Sequence, residues 1–135
     1  MTTRTFVIGD IHGGLKGLEQ VLTKIAPTQN DTFIFLGDLV DGWSDSAATV
    51  SYLIKFSQQY NCIFIKGNHD FWCEEWLKTG TINKTWLQHG GQSTYDSYET
   101  VDETSKKEHL NFFNNMHNYY VDDENRLFIH AGFTS

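Results

Sequence analysis

Several residue types that usually announce a protein class are scarce in this sequence. There is one proline, Pro27, so no Pro-rich linker or polyproline segment divides the chain. There are two cysteines, Cys62 and Cys73, too few for a disulfide framework and not in the C-x-x-C spacing of a metal or redox pair. Cys62 opens the apolar run CIFI and reads as core, and no base or cationic cluster marks Cys73 as a nucleophile. No apolar run approaches the ~18 residues of a spanning helix, and the N-terminus MTTRTFVIGD has no stretch of signal-peptide length. A cytoplasmic protein without a membrane partner is therefore expected. Positive charge is also sparse. Lys and Arg total 10 against 17 Asp and Glu, giving a net charge of −7, and Arg4 and Arg126 are the only arginines. That balance argues against a nucleic-acid backbone as the main partner and is compatible with a cation-binding site.

What is present has a clear order. TFVI (5–8), TFIFL (32–36) and CIFI (62–65) are short apolar runs without alternation, as expected for strands buried on both faces. Between the first two, Leu15, Leu18, Leu22 and Ile25 recur at three- and four-residue spacing and predict a helix ending before Pro27. Ser44 or Asp45 is placed to cap a second helix with Val50, Leu53 and Ile54 on its apolar face. The β-α-β-α-β order predicts an α/β fold, a layered sandwich of parallel sheet and helices. Residues 71–118 read as mostly helical, with FWCEEWLK and the segment 103–117 as helix candidates, Leu110, Phe113 and Met116 forming the apolar stripe of the latter. YYV and LFI around Asp122–Asn125 read as a hairpin. No linker or repeat marks a boundary, so residues 1–135 are taken as one domain of 135 residues, expected to bury roughly two-thirds of its unfolded surface.

The chemistry sits at the ends of the apolar runs. They continue into Gly9-Asp10-Ile11-His12-Gly13-Gly14, Gly37-Asp38-Leu39-Val40-Asp41-Gly42, Gly67-Asn68-His69-Asp70 and, last, His130-Ala131-Gly132. In an open α/β sheet the carboxyl ends of the strands form the ligand crevice, and flanking glycines let backbone approach a ligand closely. Asp10 and His12, two apart in an extended segment, project to the same side and can reach one cation. Asp38 carries two oxygens able to bridge two cations, and Asn68 and His130 add an amide oxygen and an imidazole. Mixed N/O donors without thiolate suit Mn, Fe, Zn or Ni. Any one of these clusters alone is an ordinary turn; four together are not.

The series GDIHG, GDLVDG, GNHD and HAG closely resembles the calcineurin-like metallophosphoesterases, and within them the bacterial and phage forms of the phosphoprotein (Ser/Thr) phosphatase branch. The segment Trp86-Leu87-x-x-Gly90-Gly91-x-x-Thr94-x-x-Ser97-Tyr98 resembles a stretch of bacterial members of that branch. The resemblance implies a dinuclear metal site, most simply two Mn2+, with Asp10 and His12 on the first ion, Asp38 bridging, and Asn68 and His130 on the second. It implies His69 as the general acid, oriented by Asp41, and in-line attack on phosphorus by a metal-bridging hydroxide. A phosphomonoesterase acting on phosphoproteins or small phosphoesters is the first expectation; dinucleoside polyphosphate hydrolysis or phosphodiester cleavage is the alternative. Two departures bear on this. Where the branch has a phosphate-clamping Arg after the second Asp of GDxVD, this chain has Gly42 and then Trp43, leaving Lys66 as a weak substrate-binding candidate. The family also has a further metal-binding His and often an Arg in a later strand. His89, His109 and His117 do not match that His, although His89 lies in the 86–98 segment and is placed to approach the site. The C-terminal part of the domain is thus expected to be missing, and a metal-binding but inactive fragment is the rival expectation of a different class.

Overall fold

A computed structural model describes residues 3–131. Three parallel strands form its centre, β1 (Arg4–Ile8), β2 (Asp31–Phe35) and β3 (Asn61–Phe64), in the order β1-β2-β3. The connections between them are α1 (Leu15–Ile25) and α2 (Ser46–Gln59). β2 is central and carries the apolar run that the sequence predicts; Phe33, Ile34 and Phe35 are almost wholly inaccessible. Crossover helices cover its faces, which is why alternation is absent. α1 buries Leu18 and Leu22 and ends at Ala26, whose left-handed backbone (φ 52°) turns the chain just before Pro27. α2 buries Val50, Leu53 and Phe56, with Ile54 half-buried; Asp45 stands at its N-cap. Phe56 meets Phe33 edge-on with ring centroids 5.1 Å apart, and Phe35 stacks on Phe64 at 4.8 Å.

The register does functional work. Ile8 pairs with Phe35 and Phe35 with Phe64, so the three strands finish level. All three run the same way, and their C-terminal loops emerge side by side on one edge.

Beyond β3 come α3 (Asn68–Thr79), α4 (Lys84–Trp86), a kink over Leu87–Gly91 with non-helical backbone at His89 and Gly90, α5 (Gln92–Ser97) and α6 (Glu103–Asn114). The helical reading of this region holds, but α6 stops short of the expected 117. Asn115 caps it, and residue 117 instead pairs with β3: Ile65 and His117 form a parallel bridge, with Lys66 N–H donating to His117 O at 2.7 Å. The buried stripe of α6 is His109 and Phe113 rather than Leu110 and Phe113; Met116 is buried beyond the helix end. The hairpin forms as β4 (Tyr120–Val121) and β5 (Leu127–Phe128), shorter than expected and in a sheet of its own. Among the described residues no helix is long and apolar enough to cross a membrane.

Candidate metal and catalytic site

The loops after β1 and β2 are laced together before any side chain is considered. Asp38 O accepts from the N–H groups of Ile11 (3.1 Å) and His12 (2.9 Å), Leu39 O from Gly13 (2.8 Å), and His12 O from Trp43 (2.8 Å). The sharp turns this requires put His12, Asp38 and Asp41 in the left-handed region, at φ 47°, 53° and 73°. Each costs about 1 kcal/mol for a residue with a Cβ, a strain that surrounding hydrogen bonds must hold in place.

The loop after β3 is tied to the β2 loop by Asp70. Its fully buried carboxylate accepts three backbone N–H groups, from Asp38 (2.7 Å) and Gly67 (2.9 Å) on Oδ2 and from Leu39 (2.8 Å) on Oδ1. Burial pushes this carboxyl up to about 7, opposed by those hydrogen bonds. Gly67 lies flat against Asp38; a Cβ there would overlap its carboxylate.

This scaffold brings four of the sequence-derived candidates together. Asp10, His12 and Asp38 each offer a ligand atom within 4.8 Å of the others. His12 Nε2 lies 3.4 Å from Asp10 Oδ2 and 3.7 Å from Asp38 Oδ2, and His130 Nε2 lies 3.1 Å from the same Asp38 oxygen. His130 reaches this point from beyond the separate hairpin rather than from a fourth strand of the parallel sheet. Gly132 of the HAG motif lies outside the described residues. In both imidazoles Nδ1 faces a backbone carbonyl, Val40 O for His12 (3.0 Å) and Leu36 O for His130 (2.8 Å). Donating Nδ1–H there leaves Nε2 as a lone pair, the outer-shell arrangement of metal-binding histidines. Two such lone pairs aimed at one nearly buried carboxylate oxygen repel it unless a cation or proton lies between, so the donor set fits divalent metal. Burial alone would lower the His12 pKa, but its bond to Val40 and the Asp38 and Asp10 carboxylates outweigh burial and raise it. Asn68 opens α3, exposed, between Gly67 and His69, whose N–H donates to Asp38 Oδ1 at 3.2 Å.

Beside this cluster stands a second arrangement. His69 Nδ1 is 2.8 Å from Asp41 Oδ2, and its ring meets that of His12 edge-on at 5.1 Å. Asp41 is 2% exposed. Its Oδ2 also accepts from Trp86 Nε1 (2.7 Å) and its Oδ1 from the Thr94 hydroxyl (2.5 Å). Burial raises the Asp41 carboxyl, and the bonds from Thr94, His69 and Trp86 oppose that. With Nδ1–H given to Asp41, His69 keeps Nε2 for exchange with a bound group.

Other candidates lie elsewhere. Lys66 Nζ is paired with Glu74 Oε1 at 2.6 Å, both side chains largely buried, so its charge is already engaged. Both arginines are committed too, Arg4 to Asp31 through two bonds (2.9 and 2.8 Å) and Arg126 to Asp122 (2.6 Å) and Glu124 (3.1 Å). His89 is exposed and bonds Thr85 O (2.7 Å); it nears the site only through Trp72, whose ring is 6.2 Å from His89 and 5.3 Å from His69. His109 is a packing residue between Ser51 Oγ (2.9 Å) and Tyr98 OH (2.7 Å). Burial pushes the Cys62 thiol up to about 12 and Cys73 well above its ordinary value, which disfavours a thiolate at either position. Sequence reasoning gave no role to Asp70, Trp86 or Thr94. The GNHD tetrapeptide and the 86–98 segment drew attention to them, but only the fold shows what they hold.

A family model described as calcineurin-like phosphoesterase matches residues 3–134. Among curated proteins, the chain is 27% identical over 104 residues to an asymmetrical bis(5'-nucleosyl)-tetraphosphatase of Oceanobacillus iheyensis, covering 70% of this chain and 40% of that protein. It is 33% identical over 70 residues to the serine/threonine-protein phosphatase 4 catalytic subunit of Kluyveromyces lactis, covering 50% of this chain and 23% of that one. The chain thus spans less than half the length of either relative. Two solved structures share the fold, each at TM-score 0.61. A metallophosphoesterase from Sphaerobacter thermophilus is 20% identical, with 90% of this chain and 44% of that one covered. A protein serine/threonine phosphatase from Saccharomyces cerevisiae is 17% identical, with 93% and 40% covered.

Proposed function

The chain belongs to the calcineurin-like phosphoesterase family, and from that premise we propose that it carries a phosphoester hydrolase centre built on two divalent cations. The observation that carries the reading is Asp38: one carboxylate oxygen faces the free Nε2 atoms of His12 and His130, with the His69–Asp41 pair alongside. Asp10 and His12 would hold one ion and Asn68 and His130 the other, Asp38 serving both. Mn2+ is the first choice for such N/O donors. When bound, the cations supply Lewis acidity, neutralising phosphoryl charge and making water nucleophilic near neutral pH.

The chain's own residues supply the rest. As the phosphorus–oxygen bond to the leaving group breaks, that oxygen gains charge and needs a proton. His69 delivers it from Nε2, while Asp41 at Nδ1 fixes the ring and offsets its charge. Asp70 and Gly67 keep the Asp38 carboxylate pointed into the site.

Phosphomonoester hydrolysis of serine/threonine phosphatase type follows from the branch resemblance and the yeast phosphatase relative. Dinucleoside polyphosphate hydrolysis is the second reading, and particular observations favour it. Gly42 occupies the expected Arg position and both arginines are paired elsewhere. Trp43, 70% exposed, instead borders a cleft of about 560 Å³ that Asp10, Ile8 and Leu15 also line. The tetraphosphatase relative aligns over most of the chain.

The test is a panel on the Mn2+-loaded chain: phosphopeptide, p-nitrophenyl phosphate, a phosphodiester and diadenosine tetraphosphate. Rapid monoester turnover supports the first reading. Dinucleotide cleavage with little monoester turnover replaces it with the second. Metal uptake with no hydrolysis at all leaves a metal-binding chain without activity.

A further inference from the structure

Trp86 and Thr94 lie on helical segments that contribute none of the candidate metal ligands, yet both close on one carboxylate. We infer that they are positioning residues for the proton donor: they fix the plane of the Asp41 carboxylate so that Oδ2 holds His69 in one ring orientation. The catalytic consequence rests on the hydrolase reading above; the geometric claim stands without it.

A carboxylate with one partner turns easily, because its terminal torsion is broad and two-fold. Asp41 has no such freedom. Thr94 holds Oδ1, while Trp86 Nε1 and His69 Nδ1 share Oδ2. The partners are themselves fixed. The Thr94 hydroxyl lies 3.0 Å from Ser46 Oγ and accepts the Asp41 N–H at 2.9 Å. Trp86 is fully buried and packs against the Trp76 ring at 5.6 Å. Gly91 lies flat on the indole, and a Cβ at 91 would stand 2.6 Å from its ring atoms. The same segment grips the Asp41 loop once more, through Gly42 N–H to Ser93 Oγ (3.1 Å), and the first turn of α2 through Ala47 N–H to Ser97 Oγ (3.1 Å). The 86–98 motif thus reads as one clamp: Trp86 and Thr94 bond the carboxylate, Gly91 admits the indole, and Ser93 and Ser97 hold the backbone. His69, held at Nδ1, rests between the rings of His12 and Trp72.

The rival explanation is that these bonds only satisfy a buried carboxylate. The two differ in measurable ways. Thr94→Val, Thr94→Ser and Trp86→Phe would be compared with wild type and His69→Ala in the full chain, each alone and with His69→Ala. Metal content and turnover of an alkyl phosphate and of p-nitrophenyl phosphate would be measured. A positioning role predicts that Thr94→Val and Trp86→Phe lose about tenfold or more on the alkyl ester, whose leaving group needs the proton, and less than about threefold on the aryl ester. Metal content is then unchanged, Thr94→Ser restores the rate, and neither substitution adds to His69→Ala. Equal loss on both esters, or additive loss in the His69→Ala background, overturns it. A second readout needs no turnover. In the 15N-histidine-labelled, Zn2+-loaded chain, the His69 Nδ1–H resonance should be present in wild type and Thr94→Ser, and shifted or broadened in Thr94→Val and Trp86→Phe. An unchanged resonance in both overturns the clamp. Failure of the wild-type chain to hydrolyse any ester would instead sink the hydrolase reading and leave this resonance to decide the clamp alone.

Discussion

Residues 9–70 and residues 84–98 meet at Asp41, and they are built on different logic. The first region brings Asp10, Asp38 and Asn68 out just past the ends of parallel strands, each beside a glycine, with His69 following in the first turn of α3. Two of its candidate ligands are partly open, Asp10 at 52% side-chain exposure and His12 at 32%, while Asp38 between them is nearly buried. The second region offers no ligand to the cluster. It is a broken series of helical turns whose buried groups, Trp86 and Thr94, face inward on another residue's carboxylate. One region presents chemistry to solvent; the other removes freedom from a group inside. Losses in the first should therefore appear as lost metal, and losses in the second as lost order at constant metal.

The largest effect tests that contrast directly. Asp38→Ala removes the oxygen shared by His12 and His130 and should abolish turnover and lower bound metal more than any other single change, as read by elemental analysis. An unchanged metal-to-protein ratio would show that Asp38 does not bridge. Next is Asp70→Asn, which keeps the shape but turns an amide NH2 toward backbone N–H groups. Two donors then face each other in a fully buried place, at a cost of about 1–3 kcal/mol. Denaturant unfolding should register that loss, and metal affinity should fall with it because Asp70 holds the Asp38 loop. A stable protein with normal affinity would disconnect the two.

Gly91→Ala belongs to the second region. The added methyl meets the Trp86 ring and should cost about 1–3 kcal/mol of stability while leaving metal stoichiometry as it was. Loss of metal in this variant would erase the distinction between the regions.

The smallest effect concerns acid. Burial holds His109 down to about 4 against an ordinary value near 6.5. Between those values the unfolded chain carries a proton on this histidine that the folded chain refuses. Stability should therefore fall as pH drops from about 6.5 toward 4, by the uptake of roughly one proton on unfolding. His109→Gln should flatten that slope in unfolding experiments across this range. An identical slope in the variant would mean that other groups cause it.

Sequence periodicity located the central sheet because β2 is buried on both faces, and an unbroken TFIF run has no other stable place. It located α1 and α2 for the same reason, since an amphipathic face at 3.6-residue spacing must pack on something. It overran α6, where the apolar spacing continues to Met116 after the helix ends. His117 pairs with β3 through backbone, and no side chain announces that bond. Lys66 shows the same limit. A lysine beside a glycine loop is free in a sequence, and only the packing of α3 placed Glu74 2.6 Å from it.

The sequence by itself determined which residue types could meet a cation. Asp10 and His12 are separated by Ile11 alone, so both side chains start at one strand end, and parallel strands of matched length bring such loops to one edge; the structure aims His12 through a left-handed turn (φ 47°) rather than the extended segment the spacing suggests. Tertiary structure alone decided which oxygen of Asp38 faces two imidazoles, that Asp70 ties the loops carrying Asp38 and Gly67, and that Trp86 and Thr94 hold Asp41 from more than forty residues away. The last of these depends on how the helical segments after β3 pack beside Asp41. Local spacing carries no record of that packing, in which Gly91 lies against the Trp86 indole.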